Sequence, residues 1–129
     1  MPIETVEKKP LVLACSGCSN AGCLAHSLAR ELDARGHAEM SCLAGVAAQN
    51  PTFLKKVDSR ETWIIDGCPI ECAAGIFKIL ERTPGYHIRL QDCGVKKNSD
   101  DANPSMDRLV EYVLNNARSE LCTIEAPGC

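Results

Sequence analysis

Four short apolar segments alternate with helical patterns along the chain, and this alternation limits the possible folds more than any other feature. The apolar segments cover residues 11–14, 38–42, 63–65 and 87–91. After each one, apolar residues recur three and four positions apart, which is typical of amphipathic helices. Strands that alternate with helices form βα units around a parallel sheet. The sequence therefore predicts a three-layer α/β domain.

The strand patterns also predict the strand order. The first and third segments are continuously apolar, as in central strands that are covered on both faces. The second and fourth alternate between apolar and polar residues, which favours edge positions. The order 2-1-3-4 satisfies these patterns with right-handed crossovers. We expect a small doubly wound, four-stranded, mostly parallel sheet with helices on both faces.

Residues near the predicted helix starts indicate where the helices begin. Ser19 or Asn20 is expected to cap the first helix, and the small residues 44–48 are expected to form a loop. Pro69 suits the first position of a helix, which makes Cys68 the expected N-cap of the helix after the third strand.

Length and charge narrow the class of protein. The 129 residues suit one domain over 1–129, with a core over about 10–118 and a loose tail at 119–129. The net charge of -3 gives no reason to expect nucleic acid or a membrane surface as a partner. A polar N-terminus without a signal-peptide pattern favours the cytoplasm. In a reducing compartment, the nine cysteines more often hold metal or do redox work than form disulfides.

Several cysteines lie where a predicted strand ends. Cys15 and Cys18 follow the first strand, Cys42 closes the second, and Cys68 and Cys72 follow the third. Because the carboxyl ends of parallel strands meet at one edge of the sheet, we expect these side chains to converge there.

Their spacing predicts a thiolate metal site. Cys68 and Cys72 are four residues apart at a predicted helix start, which places them on one face near the positive helix end. A tetrahedral ion needs four ligands, and the leading set is Cys15, Cys42, Cys68 and Cys72. Cys18, in a C-x-x-C pair with Cys15, is the substitute, and three cysteines with a water form an open alternative. Soft sulfur ligands favour zinc, copper(I) or an iron–sulfur cluster, with zinc the leading hypothesis.

The remaining cysteines are ambiguous or unrelated to this site. Cys93 follows the fourth strand and fits core packing as well as it fits the site. Cys23 is interpreted as helix packing or surface, and Cys122 and Cys129 are assigned no role in the site.

The histidines and strand-end aspartates have ordinary structural interpretations. His26 lies in the first helix, whereas His37 and His87 begin strands at the opposite, amino edge, so all three are expected to be surface or satisfied residues. Asp66 and Asp92 are expected either to cap turns or to support the metal ligands.

Two alternative functions remain open. Cys15 and Cys18 precede a helix, as in thiol-based reductases and in the anion-binding loops of low-molecular-weight phosphatases and arsenate reductases. Those enzymes place an arginine seven residues after the nucleophile, and here that position holds Gly22. An iron–sulfur protein is the second alternative.

Four segments, at residues 15–17, 40–46, 66–73 and 92–96, resemble the DGC-domain family, whose members are described as zinc-binding. The most specific is Asp66-Gly67-Cys68-Pro69 with Cys72 four residues after Cys68. The resemblance covers about residues 11–97. It implies that Cys15, Cys42, Cys68 and Cys72 chelate the metal, and it names no reaction.

Overall fold

The computed structural model describes residues 9–96 and 103–125, with side chains described for 9–96 and 103–117. Within these ranges, four parallel strands form one sheet in the order 2-1-3-4. The strands are β1 Leu11–Ala14, β2 Glu39–Met40, β3 Thr62–Asp66 and β4 Tyr86–Arg89. The predicted small α/β domain and its strand order are confirmed.

Helices cover both faces of the sheet. They are α1 Asn20–Ala34, α2 Leu43–Ala47, α3 Pro51–Ser59, α4 Cys72–Ile79 and α5 Met106–Glu125. On one face, α1 and α5 pack on a buried layer that contains Val12, Trp63 and Ile65. On the other, α2, α3 and α4 pack on Leu13 and Ile64. Both central strands are therefore buried on two sides, which explains their continuous apolar sequences.

Helix α1 begins as its capping residues predict. The Ser19 side chain accepts a hydrogen bond from the Gly22 N–H at 3.1 Å, so Ser19 is the N-cap. The helix buries the face formed by Ala21, Ala25, Leu28 and Leu32. This packing fixes the start of α1 close to the end of β1, where Cys15 lies.

Three elements differ from their predicted form. Residues 44–48 were expected to form a loop, but most of them belong to helix α2, Leu43–Ala47, which has Cys42 as its N-cap. Strand β2 has two residues, because the chain soon enters α2, and the Met40 N–H, which faces away from β1, donates to the Asp33 carboxylate at 2.8 Å. Strand β4 ends at Arg89, and a 3-10 helix, Leu90–Cys93, comes next.

The last helix extends beyond the expected core boundary at residue 118. The Ser105 Oγ accepts a hydrogen bond from the Arg108 N–H at 3.3 Å at the start of α5, and the helical backbone continues to Glu125. Cys129 lies outside the described residues, as does the side chain of Cys122. No described helix combines the length and apolarity needed to span a bilayer.

Two glycine substitutions test how closely the segment after β3 packs. A Cβ at Gly67 would lie 2.3 Å from the Ala21 carbonyl oxygen, whereas a Cβ at Gly75, within α4, meets nothing within 4 Å. Gly67→Ala should lower the free energy of unfolding by about 1–3 kcal/mol through this backbone clash. The matched control Gly75→Ala should raise it by about 0.5–1 kcal/mol through helix propensity. Urea denaturation measures the free energy of unfolding of both variants, and equal values would contradict the close packing of Gly67 against Ala21.

Candidate metal centre

The segments that come after β1 and β3 touch at the carboxyl edge of the sheet. The Cys15 Sγ accepts a hydrogen bond from the Gly67 N–H at 3.2 Å. Gly67 also approaches the backbone of Ala21, and a Cβ at Gly22 would lie 2.7 Å from the backbone nitrogen of Gly17. Glycine permits this approach because a larger residue would displace backbone atoms. The contact brings together residues that are 52 positions apart in sequence.

Three of the predicted ligand cysteines line one small cavity at this contact. Its volume is about 180 Å³, and Cys15, Cys68 and Cys72 line it together with Asp66 and Glu71. Cys15 and Cys68 are half-buried, whereas Cys72 is exposed. The cavity therefore combines thiols from two chain segments with two carboxyl groups, and no described lining residue is basic.

The other two predicted ligands lie outside this cavity. The Cys42 Sγ accepts a hydrogen bond from the Gly45 N–H at 3.3 Å, and Cys42 lines a neighbouring cavity of about 480 Å³. The two cavities share Ser16 and Leu43. Cys18 is exposed and is not among the residues that line either cavity. The complete ligand set from the sequence stays a prediction.

The expected helix start at Cys68 is wrong. Helix α4 begins at Cys72, and its N-cap is Glu71, whose backbone is left-handed with φ 57°. The Glu71 N–H donates to the Cys68 carbonyl at 3.1 Å, so residues 68–71 form a turn before the helix. Cys68 and Cys72 thus reach the same cavity from a turn and a helix start, and not from one helix face.

Asp66 determines where α4 begins. Its side chain is buried at 1% exposure, and its two oxygens accept hydrogen bonds from the N–H groups of Ala73 and Ala74 at 2.7 and 3.1 Å. His87 Nε2 donates to Asp66 Oδ2 at 2.7 Å. A carboxyl group that satisfies the first helix amides is a capping interaction from a distant residue. Of the two roles expected for Asp66, the structure therefore shows the capping role.

Sequence reasoning missed two residues near this centre, Glu71 and His87. Ligand atoms of Asp66, Glu71 and His87 lie within 4.8 Å of one another. His87 was expected at the amino edge, away from the site. It pairs with Ile64, so it lies on the sheet face that also carries Asp66, two residues further along β3. Because the two side chains share this face on adjacent strands, the imidazole reaches the Asp66 carboxylate, and His87 is a satisfied histidine as expected. The alternating sequence of β4, which places His87 on one face of the sheet, was the sequence feature that could have indicated this contact.

Burial alters the acidity of two cysteines. The pKa of the Cys15 thiol is raised by burial and, to a smaller extent, by the nearby Asp66, while the Gly67 N–H opposes the shift. Burial and Asp92 raise the pKa of Cys93 to about 12. Cys93 packs at the edge of the apolar layer beside α5, and its thiol donates to the Arg89 carbonyl at 3.6 Å. Cys93 is therefore half-buried against the core. It lines a separate cavity of about 580 Å³ beside α5 and neither the cavity of Cys15 nor that of Cys42.

Alkylation tests the environment of Cys93. The thiolate is the reactive form, so a pKa of about 12 leaves almost no reactive Cys93 at pH values of about 8. Iodoacetamide should modify the exposed Cys18 and Cys23 first and Cys93 last, and peptide mass spectrometry measures the order. Unfolding in urea should abolish the difference. Equal rates for Cys93 and Cys23 in the folded protein would contradict the burial of Cys93.

Comparison with known proteins identifies the family. The DGC domain profile matches residues 11–115. The "Anaerobic and virulence modulator AnvM" of Pseudomonas aeruginosa is 45% identical over 89 residues, which are 68% of this chain and 68% of that protein. No solved structure matches the chain. Since the domain match covers most of the sequence and a relative agrees with it, the chain belongs to the DGC-domain family.

Proposed function

We propose that this protein binds zinc through cysteine thiolates at the carboxyl edge of its sheet. The observation that carries the proposal is the cavity of about 180 Å³ that Cys15, Cys68 and Cys72 line together. Sulfur ligands favour zinc over magnesium or calcium, and membership of the DGC-domain family is compatible with metal binding.

The charges around the cavity support a cation as its occupant. Thiols must lose their protons to bind metal, and the resulting thiolates would lie near the carboxyl groups of Asp66 and Glu71. Like charges in a partly buried site repel unless a counter-charge is present. Glu71 already pairs with Arg89, and Asp66 accepts hydrogen bonds from two helix amides and His87, so the charges that still need balancing are those of the thiolates. A divalent ion supplies that charge, whereas an anionic substrate would add to the repulsion.

Three sulfurs leave one position of a tetrahedral site for another ligand. The sequence hypothesis assigns it to Cys42, with Cys18 as the substitute and water as the open alternative. Cys42 is the N-cap of α2, and the cavity it lines adjoins the cavity of Cys15 through Ser16 and Leu43.

We assign the metal a sensing, delivery or structural role in the cytoplasm. The relative in Pseudomonas aeruginosa is named as a modulator, which favours sensing. A role for Cys15 as an enzymatic nucleophile has less support, because no described residue that lines the cavity is basic, so none of them would stabilise an anionic transition state.

Elemental analysis of gently purified protein tests the proposal. We expect about one zinc per chain for a single tetrahedral site. Cys68→Ser and Cys72→Ser should each lose most of the metal, because each removes a soft ligand. Cys23→Ser is the matched control: Cys23 is exposed and lines neither cavity at this edge, so its replacement should leave the zinc content unchanged.

The same preparation separates the competing hypotheses. Iron with visible absorption would indicate a cluster in place of zinc. Metal-free protein whose Cys15–Cys18 disulfide is reduced by thioredoxin would indicate a thiol enzyme. Either result would overturn the zinc proposal.

A further inference from the structure

We infer that Glu71 supplies an oxygen ligand to this zinc, with Arg89 holding the carboxylate in position. The inference rests on the proposed function. It assigns the fourth position of the site to a residue other than Cys42, so that the ion has three sulfur ligands and one oxygen ligand.

Glu71 lies in the right place for this role. It occurs between Cys68 and Cys72 in the sequence and lines the same cavity as Cys15, Cys68 and Cys72. Its Oε2 accepts a hydrogen bond from Arg89 Nε at 2.9 Å, and its side chain is 29% exposed. A carboxylate has two oxygens, so Arg89 can orient one while the other binds metal. Metal-binding carboxylates are commonly held in this way.

Ligand atoms of Glu71, Asp66 and His87 lie within 4.8 Å of one another, and the Glu71 backbone is left-handed. Its φ and ψ are both 57°, a left-handed conformation that costs a non-glycine residue free energy. Glycine would adopt this conformation more easily, yet the position carries a long acidic side chain that lines the cavity of the cysteines. The strain therefore coincides with a carboxylate placed at the site.

The other candidates for the fourth position have different roles. Cys42 Sγ caps α2 through the Gly45 N–H and lines the neighbouring cavity. The Asp66 oxygens accept hydrogen bonds from Ala73, Ala74 and His87. Binding of metal at Asp66 would disrupt the start of α4, whereas binding at Glu71 leaves its contact with Arg89 intact.

X-ray absorption at the zinc edge and competition titration with a chromophoric chelator test the inference on the full chain. In the unmodified protein we expect three sulfurs near about 2.3 Å and one oxygen near about 2.0–2.2 Å. Cys42→Ser should leave both the spectrum and the affinity unchanged. Glu71→Gln should weaken zinc binding by about tenfold to a hundredfold. Glu81→Gln is the matched control, since Glu81 shares the positive φ of Glu71 but is exposed and lies beyond the other end of α4.

Glu71→Gly separates ligation from a purely conformational role. Glycine relieves the left-handed strain, so the variant should fold at least as well as the unmodified protein, as measured by urea denaturation, and should still lose zinc affinity as Glu71→Gln does. Arg89→Met should weaken binding in the unmodified protein and add little in Glu71→Gln, because Arg89 acts through Glu71.

The outcomes distinguish this inference from the proposed function. Bound zinc with four sulfurs, one of them lost in Cys42→Ser, would overturn the role of Glu71 and leave the thiolate site standing. Full zinc affinity in Glu71→Gly would do the same. Protein that binds no zinc would overturn both.

Discussion

The buried carboxyl group of Asp66 organises the carboxyl edge of this domain. It ends β3, one of the two central strands, and it accepts hydrogen bonds from two amides of α4 and from His87 on β4. A buried polar group without partners is costly, so this set of contacts fixes β3, α4 and β4 relative to one another. These contacts of Asp66 define the geometry of the turn at residues 68–71, which contains Cys68 and Glu71.

The close backbone approach at Gly67 complements the anchor from the opposite side. Asp66 ties the end of β3 to α4 and β4, whereas Gly67 fits against the start of α1 and donates to Cys15. Asp66 and Gly67, which are adjacent in sequence, thus fix the start of the same short turn through contacts on opposite sides. Such a site is assembled by the packing of rigid elements, so a bound ion would meet ligands that are already partly ordered, which reduces the entropy cost of binding.

Much of the fold, and part of the site, could be predicted from sequence. Continuous and alternating strand patterns indicated the strand order, and topology alone placed Cys15 and Cys68 at one edge. The start of α4 was mispredicted, because the proline signal at Pro69 is local and the competing cap, Asp66, reaches its amides only in the folded structure. His87 and Glu71 were missed for a related reason: the reach of one side chain and the left-handed backbone of the other depend on tertiary contacts.

Because the strands are parallel, the segments that leave them and the segments that enter them lie at opposite ends of the domain. The thiol-lined cavity occupies one end, while the connections into β2, β3 and β4 all lie at the other. Loops tolerate changes in length far better than the elements they join. Loop length and charge at the amino end can therefore change with little effect on the carboxyl edge of the sheet. The same separation makes these connections suitable places for inserting a reporter domain.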